Sequence, residues 1–351
     1  MVIMHIFDYR FLKDFTVSMG VLNRVSKLEG FNQKCKVLGM ERQSILESME
    51  RIAIVLSIRD SNAIEGISTT AERMVPLIVG DTKPIGHSES EILGYGDCLR
   101  HIHQNYADLV LSTETILKLY GILMSYTDVD PVFKTRDNVI IDRSPQGEIL
   151  KVQRTVPYQH VEKAMDDMIA SYWEARNDTD INNLLLIPCF IVDFLRIHPF
   201  IDGNGRMSRL LTTLLLYQEG YDICRYVSLE SKIRSNLKGY YDALESSEEG
   251  WFDNASSYEP FIDYFLGVLF LSYREYDRRL AHAFQNKGKS GAVRDLVLNM
   301  NMPVSKRDLI SMLPGISEAT ISSELKRLLD AGEIVKIGST RSARYISADR
   351  R

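Results

Sequence analysis

The chain has 351 residues, of which 45% are apolar and 25% charged, and 47 acidic side chains outnumber 42 basic ones. This balance indicates a globular protein of two or three domains and excludes a disordered, collagen-like or coiled-coil chain. The net charge of −5 argues against a protein that coats nucleic acid or an anionic membrane.

The cysteines and the first residues point to a reducing compartment. The four cysteines form no CxxC pair, so we expect free thiols, with no zinc site and no disulfide framework. The chain begins MVIMHIFDYR, which lacks a basic segment followed by an apolar one, and the apolar run Leu184–Val192 is too short to span a bilayer. We therefore expect a cytoplasmic protein that does not insert into a membrane.

The first 110 residues form a predicted N-terminal helical region. Between about positions 15 and 74, apolar residues such as Ile52 and Leu56 recur at helical spacing, and a further helix fits Glu89–Leu109.

The segment 111–285 is the predicted central domain. In it, the β-branched clusters Val139–Ile141 and Ile149–Val152 flank the turn residues Ser144–Gly147, which predicts a β-hairpin. Helices follow, and we expect them at about Asn183–Ile197, Arg206–Gln218, Ser231–Leu244 and Tyr258–Ala283. The first of these ends near His198, because Pro199 disfavours the helical conformation in the residue before it.

Residues 286–351 form a predicted C-terminal domain, which opens with the predicted linker Gln285–Gly291, rich in Lys, Gly and Ser. Ser305 and Ser317 are expected to cap two of its helices. The predicted helices are Ala292–Met300, Lys306–Leu313 and Glu318–Ala331, and the predicted strands are Ile334–Ile337 and Ala343–Ile346. Three helices and a β-wing are the elements of a winged helix-turn-helix.

Twelve residues carry the chemistry: His198-Pro199-Phe200-Ile201-Asp202-Gly203-Asn204-Gly205-Arg206-Met207-Ser208-Arg209. A glycine-flanked loop that enters a helix aims backbone N–H groups outward and forms a nest for phosphate. Arg206 and Arg209 share a helix face beside this nest. Asp202 offers the hard oxygens that Mg²⁺ prefers when phosphates supply its other ligands. His198 can act as a general base within reach of the same phosphate. The stretch therefore predicts phosphoryl or nucleotidyl transfer.

This stretch resembles, position for position, the HxFx[D/E]GNGRxxR signature of the Fic family of protein AMP-transferases. The resemblance implies that His198 deprotonates the target hydroxyl, that Asp202 holds Mg²⁺ and that Phe200 anchors the loop in the core. It also implies that Gly203, Asn204 and Gly205 bind the α- and β-phosphates of ATP. Arg206 would contact the phosphates, and Arg209 would hold the γ-phosphate. AMP would pass to a Ser, Thr or Tyr hydroxyl of a target protein or of the enzyme itself, and transfer of UMP or another nucleotide stays open.

The resemblance extends over about Ser57–Leu244. The segment that opens the hairpin resembles the family's flap, which aligns a target segment by strand addition. The flap residues implied here are Lys134, Asn138, Val139 and Ile140, and an ordinary surface hairpin is the alternative. Tyr240 and Tyr241 resemble a family element beside the adenine, with core packing as the alternative.

The stretch Ser61-Asn62-Ala63-Ile64-Glu65-Gly66 matches [S/T]xxxE[G/N], which marks an inhibitory helix in Fic proteins. Of the four Glu-Gly pairs in the chain, this one alone has Ser or Thr four residues before the Glu, and Gly66 can cap the helix. If Glu65 pairs with Arg209, it occupies the arginine that the γ-phosphate needs. A solvated helix end is the alternative. In some relatives the same Glu assists removal of AMP.

The expected fold is mainly α, with a Fic-type helical core, a β-hairpin flap and a C-terminal winged helix. The expected function is auto-inhibited transfer of AMP from ATP, with Mg²⁺, to a target that the sequence does not identify. The alternative is a DNA-binding regulator whose Fic core modifies itself as a switch. The wing residues Lys336, Arg341 and Arg344 suit DNA. The helix Ser317–Ala331 has a net charge of −1, however, so protein contacts or a homodimer compete with DNA binding.

Overall fold

The computed structural model describes residues 5–39, 43–143, 149–285, 289–339 and 343–350, and most of these residues are helical. The helices up to the functional loop are α1 (Met19–Gly39), α2 (Gln43–Ile64), α3 (Ala71–Ile78), α4 (His87–Asn105), α5 (Thr113–Leu123), α6 (Val161–Arg176) and α7 (Asn183–Ile197). Those after it are α8 (Asn204–Gln218), α9 (Ile223–Tyr226), α10 (Leu229–Ser235), α11 (Leu237–Glu248), α12 (Glu259–Gln285), α13 (Lys289–Asn299), α14 (Lys306–Met312) and α15 (Glu318–Asp330). Of the described helices, none is long and apolar enough to cross a membrane.

The described residues also contain five short strands: β1 (Val139–Arg143), β2 (Ile149–Arg154), β3 (Val304–Ser305), β4 (Ile334–Ile337) and β5 (Arg344–Ser347). The strands β1 and β2 form an antiparallel hairpin in which Val139 lies opposite Arg154 and Ile141 opposite Val152. The predicted mainly α fold with a small hairpin is therefore confirmed. The predicted turn Ser144–Gly147 lies outside the described residues.

The chain divides into two compact units, each made of three segments. The first unit contains the chain up to Val25, Asp97–Tyr221 and Asn236–Gly267. The second contains Ser26–Gly96, Asp222–Ser235 and the chain from Val268 onward. The division into domains at residues 110 and 285 stays a prediction.

Helix α7 lies in the core of the first unit, where it packs against α6 and α8. Asn182 caps it, because its side chain accepts a hydrogen bond from the Leu184 N–H (2.9 Å), and every residue from Leu184 to Ile197 is buried. A helix that is covered on all sides needs an apolar run in place of an amphipathic stripe, which is the pattern found here. The bounds predicted for this helix are confirmed.

Asp193 interrupts the apolar surface of α7. It is fully buried and accepts hydrogen bonds from the hydroxyls of Tyr9 (2.7 Å) and Tyr258 (2.8 Å) and from Trp251 Nε1 (2.7 Å). Burial raises the pKa of this carboxyl, and the three donors together with nearby His5 oppose that shift. The network fastens two distant segments of the first unit to α7.

Helix α2 is the centre of the second unit and contacts α9, α10 and α13. Two adjacent charged residues hold it in place. Arg59 Nη1 donates to the Met300 carbonyl (3.1 Å), and Asp60 accepts from Arg234 Nη1 (2.7 Å) and from the Ser231 hydroxyl.

The C-terminal part of the second unit contains α13, α14 and α15 and a three-stranded sheet in the order β3-β5-β4. The predicted elements are all present, displaced by a few residues at most. Ser305 and Ser317 cap α14 and α15, because their hydroxyls accept from the N–H groups of Asp308 (3.1 Å) and Thr320 (3.2 Å). These are the elements of the predicted winged helix.

The prediction of one helix over Ser231–Leu244 is wrong, because the chain breaks at Asn236 between α10 and α11. Asn236 leaves the helical conformation (φ −134°, ψ 53°), and its side chain lies under the first turn of α11. A Cβ at Gly239 would come within 2.5 Å of Asn236 Nδ2, so the glycine makes room for this break.

Candidate active site

His198 ends α7 in a left-handed backbone conformation (φ 53°, ψ 59°). This conformation costs about 1–2 kcal/mol for a residue with a side chain, although histidine tolerates it better than most. His198 Nδ1 lies 3.2 Å from the Leu195 carbonyl, which can only accept a hydrogen bond. The proton of the neutral ring is therefore on Nδ1 and the lone pair on Nε2, which is the tautomer that a general base needs.

Phe200 anchors the loop after His198. It is fully buried and stacks on Tyr120, with ring centroids 3.6 Å apart and planes 8° apart. The Tyr120 hydroxyl donates to the Asp202 carbonyl (3.1 Å), and burial raises the pKa of this tyrosine, which keeps it a donor. The predicted anchoring role of Phe200 is confirmed.

Asn204 closes the loop with its side-chain amide. Its Oδ1 accepts from the Phe200 N–H (3.0 Å), and its Nδ2 donates to the Phe200 carbonyl (2.8 Å). The amide therefore binds both polar groups of one backbone residue, and Asn204 is buried. A contribution of Asn204 to phosphate binding would come from its backbone N–H.

The loop enters α8 through Gly203, whose φ of +80° lies in the region that favours glycine. Helix α8 begins at Asn204, two residues before the predicted start at Arg206. The first N–H groups of a helix have no partner inside it, and with the helix dipole they attract an anion. Gly203, Asn204 and Gly205 thus lie at the start of this helix, and their contact with phosphate stays a prediction.

Asp202 and Arg206 form an ion pair across this helix start, with Arg206 Nη2 donating to Asp202 Oδ2 (3.0 Å). The Arg206 side chain is 1% exposed and that of Asp202 58% exposed, so a buried cation orients an exposed carboxylate. Arg209 is also buried and lies one turn later on α8. Contacts of the two arginines with phosphates stay a prediction.

Lys134, at the base of the hairpin, points into the protein. It is 3% exposed, and its ammonium donates to Asn138 Oδ1 (2.8 Å), Thr155 Oγ1 (2.8 Å) and the Ile197 carbonyl (3.3 Å). Its backbone N–H donates to the Pro199 carbonyl (2.8 Å). Burial lowers the pKa of Lys134 to about 8.

The other three predicted flap residues divide between the loop and the strand. Asn138 Nδ2 donates to the Phe200 carbonyl (3.0 Å), so this residue also binds the loop. Val139 and Ile140 open strand β1, where Val139 is exposed and Ile140 half-buried. Alignment of a target segment by this strand stays a prediction.

Tyr240 and Tyr241 differ in exposure although both lie on α11. Tyr240 is buried in an aromatic cluster with Phe261 and Tyr264, at centroid distances of 6.0 and 5.8 Å. Tyr241 is 46% exposed. Core packing accounts for Tyr240, and the adenine contact stays a prediction for both.

Ser61 and Glu65 lie at the end of α2 in the second unit, whereas Arg209 belongs to the first. Ser61 is buried, and Glu65 follows the last residue of the helix and is exposed. Gly66 adopts φ +78°, and the Ile67 N–H donates to the Asn62 carbonyl (2.9 Å), which is the helix end that the glycine predicted. The pairing of Glu65 with Arg209 stays a prediction.

Sequence reasoning missed three residues that hold the loop and the hairpin: Tyr120, Thr155 and Arg196. Arg196 Nη1 donates to Gln153 Oε1 (2.8 Å) and Arg196 Nη2 to the Arg154 carbonyl (3.1 Å), which fixes β2 to α7. Arg196 could have been identified from the sequence, because it is a charged residue in the last turn of an apolar helix. No spacing connects positions 120 and 155 with the loop.

Residues 110–216, which include this loop, match the Fic/DOC family. The chain carries a Fic domain. The Fic domain includes the hairpin and most of α8, whereas Glu65, Tyr240 and Tyr241 lie outside the matched residues.

Relatives share this domain at modest identity. A Fido domain-containing protein of Dictyostelium discoideum is 38% identical over 61 residues, which are 17% of this chain and 43% of that protein. The protein adenylyltransferase Fic of Drosophila willistoni is 27% identical over 219 residues, which are 60% of this chain and 40% of that protein. The chain thus spans less than half the length of these curated relatives.

A solved structure shows that the fold extends beyond the Fic domain. The crystal structure of a Fic family protein from Desulfovibrio desulfuricans G20 matches with a TM-score of 0.59 and 23% identity, over 95% of this chain and 97% of that one.

Proposed function

We propose that the chain transfers AMP from ATP to a Ser, Thr or Tyr hydroxyl of a target protein. The observation that carries this proposal is the loop 198–206, in which a histidine with its lone pair on Nε2 precedes a glycine-flanked helix start. A base and an anion nest a few residues apart are what nucleotidyl transfer requires. Support also comes from the Fic domain and from the names of relatives in Drosophila species.

The proposed reaction is a displacement at the α-phosphorus of ATP. His198 Nε2 takes the proton of the target hydroxyl, whose oxygen forms the new bond to the α-phosphorus. The bond between the α-phosphorus and the bridging oxygen breaks, and pyrophosphate leaves. The N–H groups at the start of α8 bind the phosphates, while Arg206 and Arg209 supply positive charge near them.

Asp202 is the residue proposed to hold Mg²⁺. Its carboxylate is 58% exposed and keeps a fixed direction through Arg206, which suits a cation whose remaining ligands are phosphate oxygens and water. Bound Mg²⁺ would neutralise charge on the phosphates.

Auto-inhibition by Glu65 is part of the proposal. The end of α2 has the geometry that the [S/T]xxxE[G/N] pattern predicts, because Gly66 closes the helix directly after the glutamate. A carboxylate bound to Arg209 would compete with the γ-phosphate and leave ATP misplaced for in-line attack. Removal of AMP with the help of the same Glu65 is the reverse activity to test.

We propose that the enzyme acts in the cytoplasm. Its proposed targets are the enzyme itself and an unidentified protein. The winged helix would serve protein contacts, among them a homodimer.

Self-labelling with [α-³²P]ATP tests the proposal. Wild type should become labelled, and His198→Ala should lose label by about 10²–10⁴-fold, the usual contribution of a general base, while ATP binding persists. His87→Ala is the matched control, because that histidine has a 69% exposed side chain on α4 of the second unit. The proposal fails if wild type, with Glu65→Gly as the activated form, labels neither itself nor any protein of a lysate, or if His198→Ala labels normally. Parallel reactions with labelled UTP, CTP and GTP identify the nucleotide.

A further inference from the structure

Lys134 binds the backbone on both sides of His198. Its ammonium donates to the carbonyl of Ile197, and its backbone N–H donates to the carbonyl of Pro199. His198 itself adopts a left-handed conformation that few side-chain-bearing residues prefer. One residue from another part of the chain therefore holds both neighbours of a strained residue.

The contacts of the Lys134 ammonium are complete and internal. Its three donors have three acceptors, Asn138 Oδ1, Thr155 Oγ1 and the Ile197 carbonyl. Thr155 in turn donates to the Asn138 carbonyl (3.0 Å), and Asn138 donates to the Phe200 carbonyl (3.0 Å). Such a network holds its members in one arrangement when every group is satisfied.

A role in contacting the target is at odds with this burial, because a lysine that is 3% exposed offers almost no surface to another protein. Burial of a lysine ammonium costs free energy because the charge loses its hydration. Contacts inside the protein must therefore offset that cost. These contacts are with the backbone around His198, because Lys134 and Asn138 donate hydrogen bonds to the carbonyls at positions 197, 199 and 200.

We infer that Lys134 is a positioning residue, which holds His198 in the conformation that aims its ring at the reacting hydroxyl. This inference rests on the proposed function for its catalytic consequence, and it has a structural consequence that needs no activity. The target-binding part of the hairpin then begins after Asn138, on strand β1.

Hydrogen–deuterium exchange of the peptide 197–204 tests the structural consequence. Lys134→Met removes the ammonium and keeps an unbranched chain of similar length, so we expect exchange of this peptide to rise at least about tenfold because the loop opens more often. Lys163→Met is the matched control, since that exposed lysine on α6 bonds to Asp167 (2.7 Å) and should leave exchange unchanged. Exchange within twofold of wild type in folded Lys134→Met would overturn the inference.

Thr155→Val decides the question if Lys134→Met does not fold. This near-isosteric change removes one acceptor of the ammonium, and the expected rise in exchange is about threefold. Unchanged exchange in folded Thr155→Val, with Lys134→Met unfolded, would also overturn the inference.

Kinetics test the catalytic consequence. In Lys134→Met we expect kcat to fall by about 10–100-fold with less than a threefold change in KM for ATP, because misplacement of a base by about 1 Å impairs the chemical step. The kcat of wild type should decline above about pH 8, where Lys134 loses its proton. Asp137 is the charged group that opposes this loss.

Lys134→Arg, which stays charged, should move the decline to higher pH and recover part of kcat. A decline at the same pH in Lys134→Arg would contradict the role of the ammonium. If wild type transfers no AMP while exchange rises in Lys134→Met, the proposed function fails and the positioning role stands.

Discussion

The sequence predicts that Asn204 belongs to the functional loop, but it does not predict what the Asn204 side chain binds. The sequence places it in a phosphate-binding loop, and in the structure its side chain instead binds the N–H and the carbonyl of Phe200. A side-chain amide can reach either a ligand or the backbone, and the choice depends on how the loop closes in three dimensions. The same holds for Lys134, which the flap resemblance assigned to the target and the structure turns toward the loop.

Asn204→Ala should loosen the loop without removing any group from the helix start. It leaves two buried backbone groups of Phe200 without their partner, so we expect a loss of about 1–3 kcal/mol in the free energy of unfolding. The affinity for ATP should fall as well, because the nest is no longer held in one shape. Chemical denaturation and calorimetric titration with ATP measure the two effects.

Asn177→Ala is the control for that substitution, since Asn177 is exposed at the end of α6. Unchanged stability and ATP affinity in Asn204→Ala would contradict the loop-closing role.

At the scale of elements, the helices that sequence periodicity defines best are those buried on one continuous face or on all faces. Helix α7 was predicted with its bounds, because its apolar run and the proline after it agree. The break between α10 and α11 was missed, because it depends on the Asn236 side chain fitting beneath Gly239, a contact with no periodic signal. The end of α2 at Gly66 was predicted, since a glycine after a helix has a local cause.

Glu65→Gly tests what the end of α2 does. If Glu65 binds Arg209, its removal leaves that arginine to the γ-phosphate, and labelling should rise. A charge-assisted pair contributes roughly 1.5–3 kcal/mol, so the expected gain is about tenfold or more. Initial rates of labelling with [α-³²P]ATP measure it.

Two further variants separate loss of the carboxylate from loss of helix stability. Ala63→Gly weakens the same helix end by about 1 kcal/mol and should leave the rate unchanged. Glu65→Gly combined with Arg209→Ala should lose most of the gain, because the freed partner no longer exists. A folded, ATP-binding Glu65→Gly that labels no faster than wild type would contradict auto-inhibition.

At the scale of the whole molecule, the charges of the C-terminal region bear on the DNA-binding alternative. Arg344, one of three cations assigned to the wing, has a 12% exposed side chain and pairs with Asp308 (3.1 Å) and Glu72 (3.3 Å). Lys306, Arg294 and Arg327 each bind an acidic residue as well. Lys336 is exposed, and Arg341 lies outside the described residues. Paired cations gain less from phosphate, because an existing partner must be given up.

We therefore expect the intact chain not to retard duplex DNA at about 1 μM protein and about 150 mM salt, a concentration at the lower end of the usual range of dissociation constants for non-specific binding. A gel shift with random and genomic fragments measures this. Retardation that weakens with salt and is lost in Lys336→Ala would establish the DNA-binding alternative instead.

The order and type of the elements were accessible from the sequence, because caps, glycines and apolar spacing act over a few residues. The contacts that hold the candidate site together were not. Asp193 meets partners 184, 58 and 65 residues away in Tyr9, Trp251 and Tyr258, and no local pattern encodes such meetings.

The Asp193 network also sets an order of events during synthesis of the chain. Its first partner, Tyr9, leaves the ribosome 184 residues before the carboxylate, and its last partner, Tyr258, leaves it 65 residues after the carboxylate. Until then the Asp193 carboxylate lacks at least one of its three donors, and burying it with an incomplete set of hydrogen bonds costs free energy. The helix that ends in His198 should therefore reach its final packing only after residue 258 has emerged. A nascent chain that stops short of this point should therefore keep apolar surface of α7 exposed, which is the kind of surface that makes incomplete chains prone to aggregate.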